Sequence, residues 1–279
     1  MPPISSTEAT TGSPSLWGIV LTGTARPPRG CPPRPFREGI RVRATIGCAS
    51  DLIPARRLMA VSARDEAETV PGLTGIQCVA QPAYRGSAPE VFLPLLKIAR
   101  RDPTAIVVVF PAKGPGYYES GFMAAVGRAT DAVAHRRDLL VVVGAGAPFP
   151  AARGWIEPGD TISGLEHLGV RTVRRFVRRT HHFQTLLRSV GGGIVNTGVV
   201  IADAQALLAL GRRRLPDVLE SLEPLETVFG GPEEPLLCEA VYESMPYADL
   251  SHALVPADEP VGVLPVQRAR TRVRREASA

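Results

Sequence analysis

Apolar residues fall along this chain in two alternating rhythms. Short uninterrupted runs occur at Trp17 to Leu21, Leu58 to Val61, Ala105 to Phe110, Leu139 to Val143 and Val199 to Ala202, with a weaker strand pattern, broken by Gln77, at Gly75 to Val79. Between them lie stretches in which apolar residues recur at helical spacing. In Glu90 to Arg100 these are Val91, Leu95 and Ile98 with Phe92 and Ala99, and Phe122 to His135 and Asp203 to Leu210 repeat the pattern. Runs that are apolar throughout predict strands buried on both faces, and the spaced stretches predict helices that lie on them. Strands that alternate with helices predict an α/β protein with a mostly parallel central sheet covered on both sides. The segment from Pro27 to Pro35 interrupts the alternation, because proline lacks the backbone donor that a helix interior or central strand requires. No internal repeat is visible.

The order around Gln81 carries the most information. Gln81-Pro82-Ala83-Tyr84-Arg85-Gly86-Ser87-Ala88-Pro89 precedes a helix, the helix precedes a buried strand, and the strand closes at Pro111-Ala112-Lys113-Gly114. Open α/β sheets hold their ligands at the carboxyl ends of such strands. Read for structure alone, Ser87 would be the N-cap of the helix, with Pro89 in its first turn.

Composition narrows the class. At 279 residues, with 44% hydrophobic and 21% charged residues, the chain suits one large globular domain. We expect a domain over residues 17–267, a disordered leader over 1–16 and a basic tail over 268–279. The apolar runs are far shorter than the roughly 20 residues a membrane helix needs, so no membrane partner is expected. The leader lacks a basic start and a long apolar core, so a cytoplasmic location is expected. Cys31, Cys48, Cys78 and Cys238 form no CxxC pair, which gives no sign of a zinc site or a disulfide framework. Of the formal charge of +5, the tail supplies nearly all, with five arginines from Arg268 to Arg275 against Glu276. The body is therefore close to neutral, and nucleic acid is not an expected partner.

Several ordered pieces carry a family resemblance. They are Gly18-Ile19-Val20-Leu21, the QPAYRGSAP segment, RDPTAIVVVFP, GWIEPG from Gly154, Asn196-Thr197-Gly198, Ala248-Asp249-Leu250-Ser251, and Val261 to Val266. In this order the chain resembles the bacterial mannose-1-phosphate guanylyltransferases, members of the sugar-nucleotide nucleotidyltransferase family, from about Trp17 to Gln267. The resemblance implies a Rossmann-like nucleotidyltransferase (GT-A-like) three-layer fold. It also implies a reaction in which a nucleoside triphosphate and a sugar 1-phosphate give a sugar nucleotide such as GDP-mannose, and pyrophosphate.

The resemblance also assigns residues. Leu21, Thr22 and Gly23 stand in the turn that wraps the triphosphate, and Arg26 stands where the family's loop arginine stands, or is a solvated arginine. Gln81, Arg85, Gly86 and Ser87 stand where the family contacts the base. Glu157 and Asn196 stand where it holds sugar hydroxyls, although Glu157 could face solvent and Asn196 could serve a left-handed backbone. Arg179, beside Arg178, stands near the sugar phosphate, as an anion ligand or part of a solvated charge run.

Departures cluster at the same site. The glycine-rich turn is short, and no proline-lysine motif follows it. Lys113 occupies the position of a metal-binding aspartate, and the second metal aspartate has no counterpart before the arginine tail. The Mg²⁺ of the family therefore lacks its usual ligands here. Arg26 and Lys113 are the catalytic candidates, and impaired turnover is the expectation. The alternative is a non-catalytic protein that binds a nucleoside triphosphate or sugar nucleotide, or that pairs with itself or with an active relative.

Overall fold

The computed structural model describes residues 15–22, 35–64, 75–111, 121–146, 154–177, 194–254 and 260–266. Gly23, Arg26, Lys113 and Arg179, most of the expected leader and the tail lie outside the described residues. The apolar runs become strands: β1 (Leu16–Leu21), β2 (Leu58–Ala63), β3 (Gln77–Gln81), β4 (Ile106–Pro111) and β5 (Leu140–Ala145). β6 (Trp155–Thr161), β7 (Arg171–Val177), β8 (Ile194–Asp203) and β9 (Val261–Pro265) complete the described sheet.

The order across the sheet is β3-β2-β1-β4-β8-β5-β9-β7-β6. β3, β2, β1 and β4 are all parallel, and β9 is parallel to β5. β8 runs the other way between β4 and β5. An added β8–β6 pairing closes β8, β5, β9, β7 and β6 into a ring. The expected α/β architecture is therefore present, with the parallel run β3-β2-β1-β4 forming one half of the sheet.

Helices cover both faces. α1 (Pro35–Ser50) and α3 (Phe122–His135) lie on one, and α2 (Ser87–Arg101), α4 (Ala204–Arg214), α5 (Pro216–Leu222), α6 (Glu234–Ser244) and the short α7 (Ser251–Leu254) on the other. Period-two alternation divides the central strands β1 and β4 between two cores. Ile19, Val107 and Val109 face the α2 side, while Val20, Ile106 and Val108 face the α1 and α3 side.

Local chemistry explains the boundaries. α1 opens on Pro35, whose fixed φ suits a first turn and whose missing N–H costs nothing there. α4 opens on Asp203, whose carboxylate accepts from the N–H groups of Gln205 and Ala206 at 2.8 and 3.0 Å. β8 begins five residues before the expected run, and Thr197, fully buried, donates its hydroxyl to the Val143 carbonyl at 2.7 Å where the β5–β8 register shifts.

Candidate functional site

The carboxyl ends of the parallel strands form one edge of the sheet, and several of the sequence candidates lie along it. Leu21 pairs with Val61 on one side and Pro111 on the other, and Gln81 pairs with Ala63 one strand farther out. Asn196 of β8 pairs with Gly144 near the end of β5. β1 and β4 thus end side by side, and the chain that carries Arg26 leaves from one and the chain that carries Lys113 from the other. Thr22, beyond β1, is buried, and its N–H and hydroxyl both bond the Val61 carbonyl, at 3.1 and 2.7 Å. Its side chain therefore fixes the strand end.

The Gln81 to Ser87 segment is held by a clasp. Gln81 is buried and donates its amide to the Tyr242 hydroxyl at 2.9 Å. Arg85 donates to the carbonyls of Tyr242 and Glu243 at 2.7 and 2.9 Å, at the end of α6 where carbonyls lack helical partners. The N–H and hydroxyl of Ser87 both donate to Asp249 Oδ1, at 3.2 and 3.1 Å, and the Ser87 hydroxyl accepts from the Leu250 N–H at 3.0 Å. Ala248 joins the two strips of backbone: its N–H bonds the Arg85 carbonyl and its carbonyl accepts from the Ala88 N–H, both at 3.0 Å.

Glycine is required at the centre of this clasp. Gly86 has φ 93° and ψ 176°, a region closed to other residues, and an added Cβ would lie 2.1 Å from the Ala248 carbonyl oxygen. The N-cap position expected for Ser87 belongs to Gly86, because the Ser87 hydroxyl is turned to Asp249 and the helix begins at Ser87 itself. Pro89 falls in the first turn, as expected. Burial first, then the nearby Cys238, pushes the Tyr242 hydroxyl well above its ordinary pKa, with the Gln81 bond in partial opposition. Tyr242, Ala248 and Asp249 complete the arrangement. Ala248 and Asp249 stand in a segment quoted above for its resemblance, but no local pattern in the sequence indicates what they hold.

The two sugar candidates sit on neighbouring strands. Glu157 accepts from Arg175 at 3.0 Å, its registered partner across β6 and β7. The Glu157 side chain is 27% exposed and that of Arg175 55%, so the pair is open to solvent and easily broken by a ligand. Asn196 uses its side-chain oxygen to accept from the Gly198 N–H at 2.8 Å. The positive φ at this turn, 77°, belongs to Gly198, and Asn196 has none. Among the described residues no three His, Cys, Asp or Glu side chains come together in a way that could hold a metal ion.

The edge offers aromatic surface as well. Tyr84 and Tyr247 are 38% and 61% exposed, their rings packed edge to face with centroids 5.9 Å apart. Among the described residues no helix is long and apolar enough to cross a membrane.

Fold and edge together define an α/β protein of the nucleotidyltransferase fold. No protein-family model matches the chain, and no curated protein is significantly similar to it. Solved structures do match. A crystal structure described as mannose-1-phosphate geranyltransferase from Thermus thermophilus aligns over 91% of this chain and 74% of its own, with a TM-score of 0.71 at 21% identity. One described as mannose-6-phosphate isomerase from Helicobacter pylori aligns over 91% of this chain and 98% of its own, with a TM-score of 0.67 at 14% identity. At such identities the likeness defines the fold.

Proposed function

We propose that this chain is a nucleotidyltransferase-like protein of the mannose-1-phosphate type, built to take a nucleoside triphosphate and a sugar 1-phosphate, with turnover weakened by its altered site. The observation that carries this reading is the meeting of β1 and β4 at one edge, with the Gln81 to Ser87 loop and Asn196 along it. The similar structure from Thermus thermophilus bears mannose 1-phosphate in its description, which supports the same sugar phosphate for this chain.

Chemically, in-line transfer needs the triphosphate and the attacking sugar phosphate fixed against each other and their charge screened. Arg26, Lys113 and Arg179 are the cations proposed for that screening. Backbone N–H groups after β1, with Leu21, Thr22 and Gly23, would cradle the phosphates. Glu157 and Asn196 would orient the sugar through its hydroxyls.

One observation favours a second reading, a non-catalytic protein that binds a nucleotide or sugar nucleotide or pairs with an active relative. Gln81, Arg85 and Ser87 all use side-chain atoms on internal bonds, so fewer remain for a ligand.

The test is product analysis of the purified full chain with mannose 1-phosphate and each nucleoside triphosphate, with and without Mg²⁺. A sugar nucleotide in the products supports the transferase and names its base. No product, with a melting temperature raised by GTP or GDP-mannose, selects the second reading, because a ligand held only by the folded state stabilises it. Neither product nor stabilisation, in a folded protein, refutes both.

A further inference from the structure

Away from the sheet edge, two histidines from separate elements face each other. His135 is the last residue of α3, and His167 lies in the 3-10 turn Glu166–Leu168. Both are exposed, and their ring centroids are 6.3 Å apart at an interplanar angle of 78°. The frame beneath them is rigid. Ala132 and Val133 on α3 share one buried cluster with Leu165 and Leu168 on either side of His167.

His135 also has its ring fixed. Its Nδ1 lies 2.7 Å from the Asp131 carbonyl oxygen, which can only accept, so Nδ1 donates that bond and Nε2 is the nitrogen left for a metal. A backbone carbonyl on one imidazole nitrogen is the support that metal-ligating histidines ordinarily have on the side away from the ion.

We infer that His135 and His167 form a two-imidazole site for a borderline divalent transition ion such as Zn²⁺, Ni²⁺ or Cu²⁺. At Zn–N distances of about 2.0–2.1 Å, two rings that share a tetrahedral ion have centres roughly 5 Å apart. Closing the present gap takes a movement of about 1 Å, which rotation of the exposed His167 side chain supplies. Imidazole suits these ions, and affinity follows the order Ni²⁺ below Cu²⁺ above Zn²⁺. Water fills the remaining positions. The site lies outside the nucleotide-binding edge and stands whether or not the chain is a transferase. Its consequence is a cross-link between α3 and the 3-10 turn that strengthens the fold in proportion to free metal.

The test is calorimetric titration of the chelator-treated full chain with ZnCl₂ and NiCl₂, together with electron paramagnetic resonance of the Cu²⁺ form. Single saturable binding is expected, weakened roughly tenfold or more in His135→Gln and in His167→Gln. His181→Gln/His182→Gln serves as the control and should leave it intact. Both rings are exposed, so the variants should keep the wild-type circular dichroism. Hyperfine splitting from two imidazole nitrogens in the copper spectrum supports the site without any mutation. Absence of saturable binding, binding unchanged in both single variants, or a copper spectrum with no nitrogen coupling overturns it.

Discussion

Replacing Gly86 by alanine puts a methyl group against backbone that has nowhere to go. The new carbon would lie 2.1 Å from the oxygen and 2.7 Å from the carbon of the Ala248 carbonyl. With φ 93° and ψ 176°, an alanine is also held in a region essentially reserved for glycine, which costs about 1–3 kcal/mol before any contact is counted. The overlap adds a similar amount, about 1–3 kcal/mol. Relief by moving Ala248 away breaks the paired bonds from Ala248 N–H to Arg85 and from Ala88 N–H to Ala248, worth about 1 kcal/mol each. The sum points to a loss of about 4 kcal/mol. Urea unfolding followed by circular dichroism and tryptophan fluorescence measures it. Gly164 is the control, since its φ is 82° but nothing lies within 4 Å of its added carbon. Gly164→Ala should show the backbone term alone, about 1–3 kcal/mol. If the two variants lose the same stability, the clasp reasoning is wrong.

Arg85→Ala removes both donors from the α6 carbonyls and should cost about 1–3 kcal/mol by chemical unfolding; Arg85→Lys should recover only part, since one ammonium does not replace a planar fork. Tyr242→Phe leaves the buried Gln81 amide without its acceptor and should cost about 1–3 kcal/mol on the same assay, with no change in the circular dichroism spectrum. The Cys238 thiol, pushed up to about 11 mainly by burial, should resist iodoacetamide at pH 8 while the exposed Cys78 is labelled, as read by peptide mass spectrometry. The folded state keeps that proton after the unfolded chain has shed it, so stability should fall as pH rises from the ordinary thiol value of 9.0 to about 11, and Cys238→Ala should flatten that slope. Gly211→Ala sets a methyl 2.6 Å from the Phe92 ring between α4 and α2 and should cost about 1–3 kcal/mol, reduced when Phe92 is also shortened to leucine.

The parts of the fold legible in the sequence are those where burial is two-sided. Ile106 to Phe110 and Leu140 to Val143 are apolar at every position because helices cover both faces of the sheet, and Phe122 to His135 matches its expected span because its apolar stripe faces one core. β3 is found two residues later than expected, at Gln77–Gln81, where exposed Cys78 and Ala80 alternate with buried Val79 and Gln81 and the run has no apolar core of its own. β7 is illegible for a related reason. Its sequence RTVRRFV is largely exposed and carries three arginines, so pairing with β6 and β9 places it in the sheet where side-chain burial does not. α1 and α6 are equally hard to see. Each follows a stretch of proline and glycine, and α6 buries only Cys238 and Tyr242.

At the candidate site, residue identity is legible in the sequence and residue role is not. Arg85 reads from sequence as a cation beside a ligand, yet its charge is directed at two carbonyls of its own chain, 157 and 158 residues away. Such a partner is invisible to any local pattern, because a helix end offers acceptors whatever its side chains are. The resemblance and the clasp fall on the same segment. A loop tied by Ala248 and Asp249 cannot drift, and backbone groups on a loop that cannot drift are suited to reading a planar base without side-chain help. If the loop reads a ligand, it should therefore do so mainly through main-chain groups and the exposed Tyr84 and Tyr247. Arg85→Ala would then weaken nucleotide binding only as far as it loosens the clasp, whereas loss of Tyr84 would weaken binding with stability unchanged.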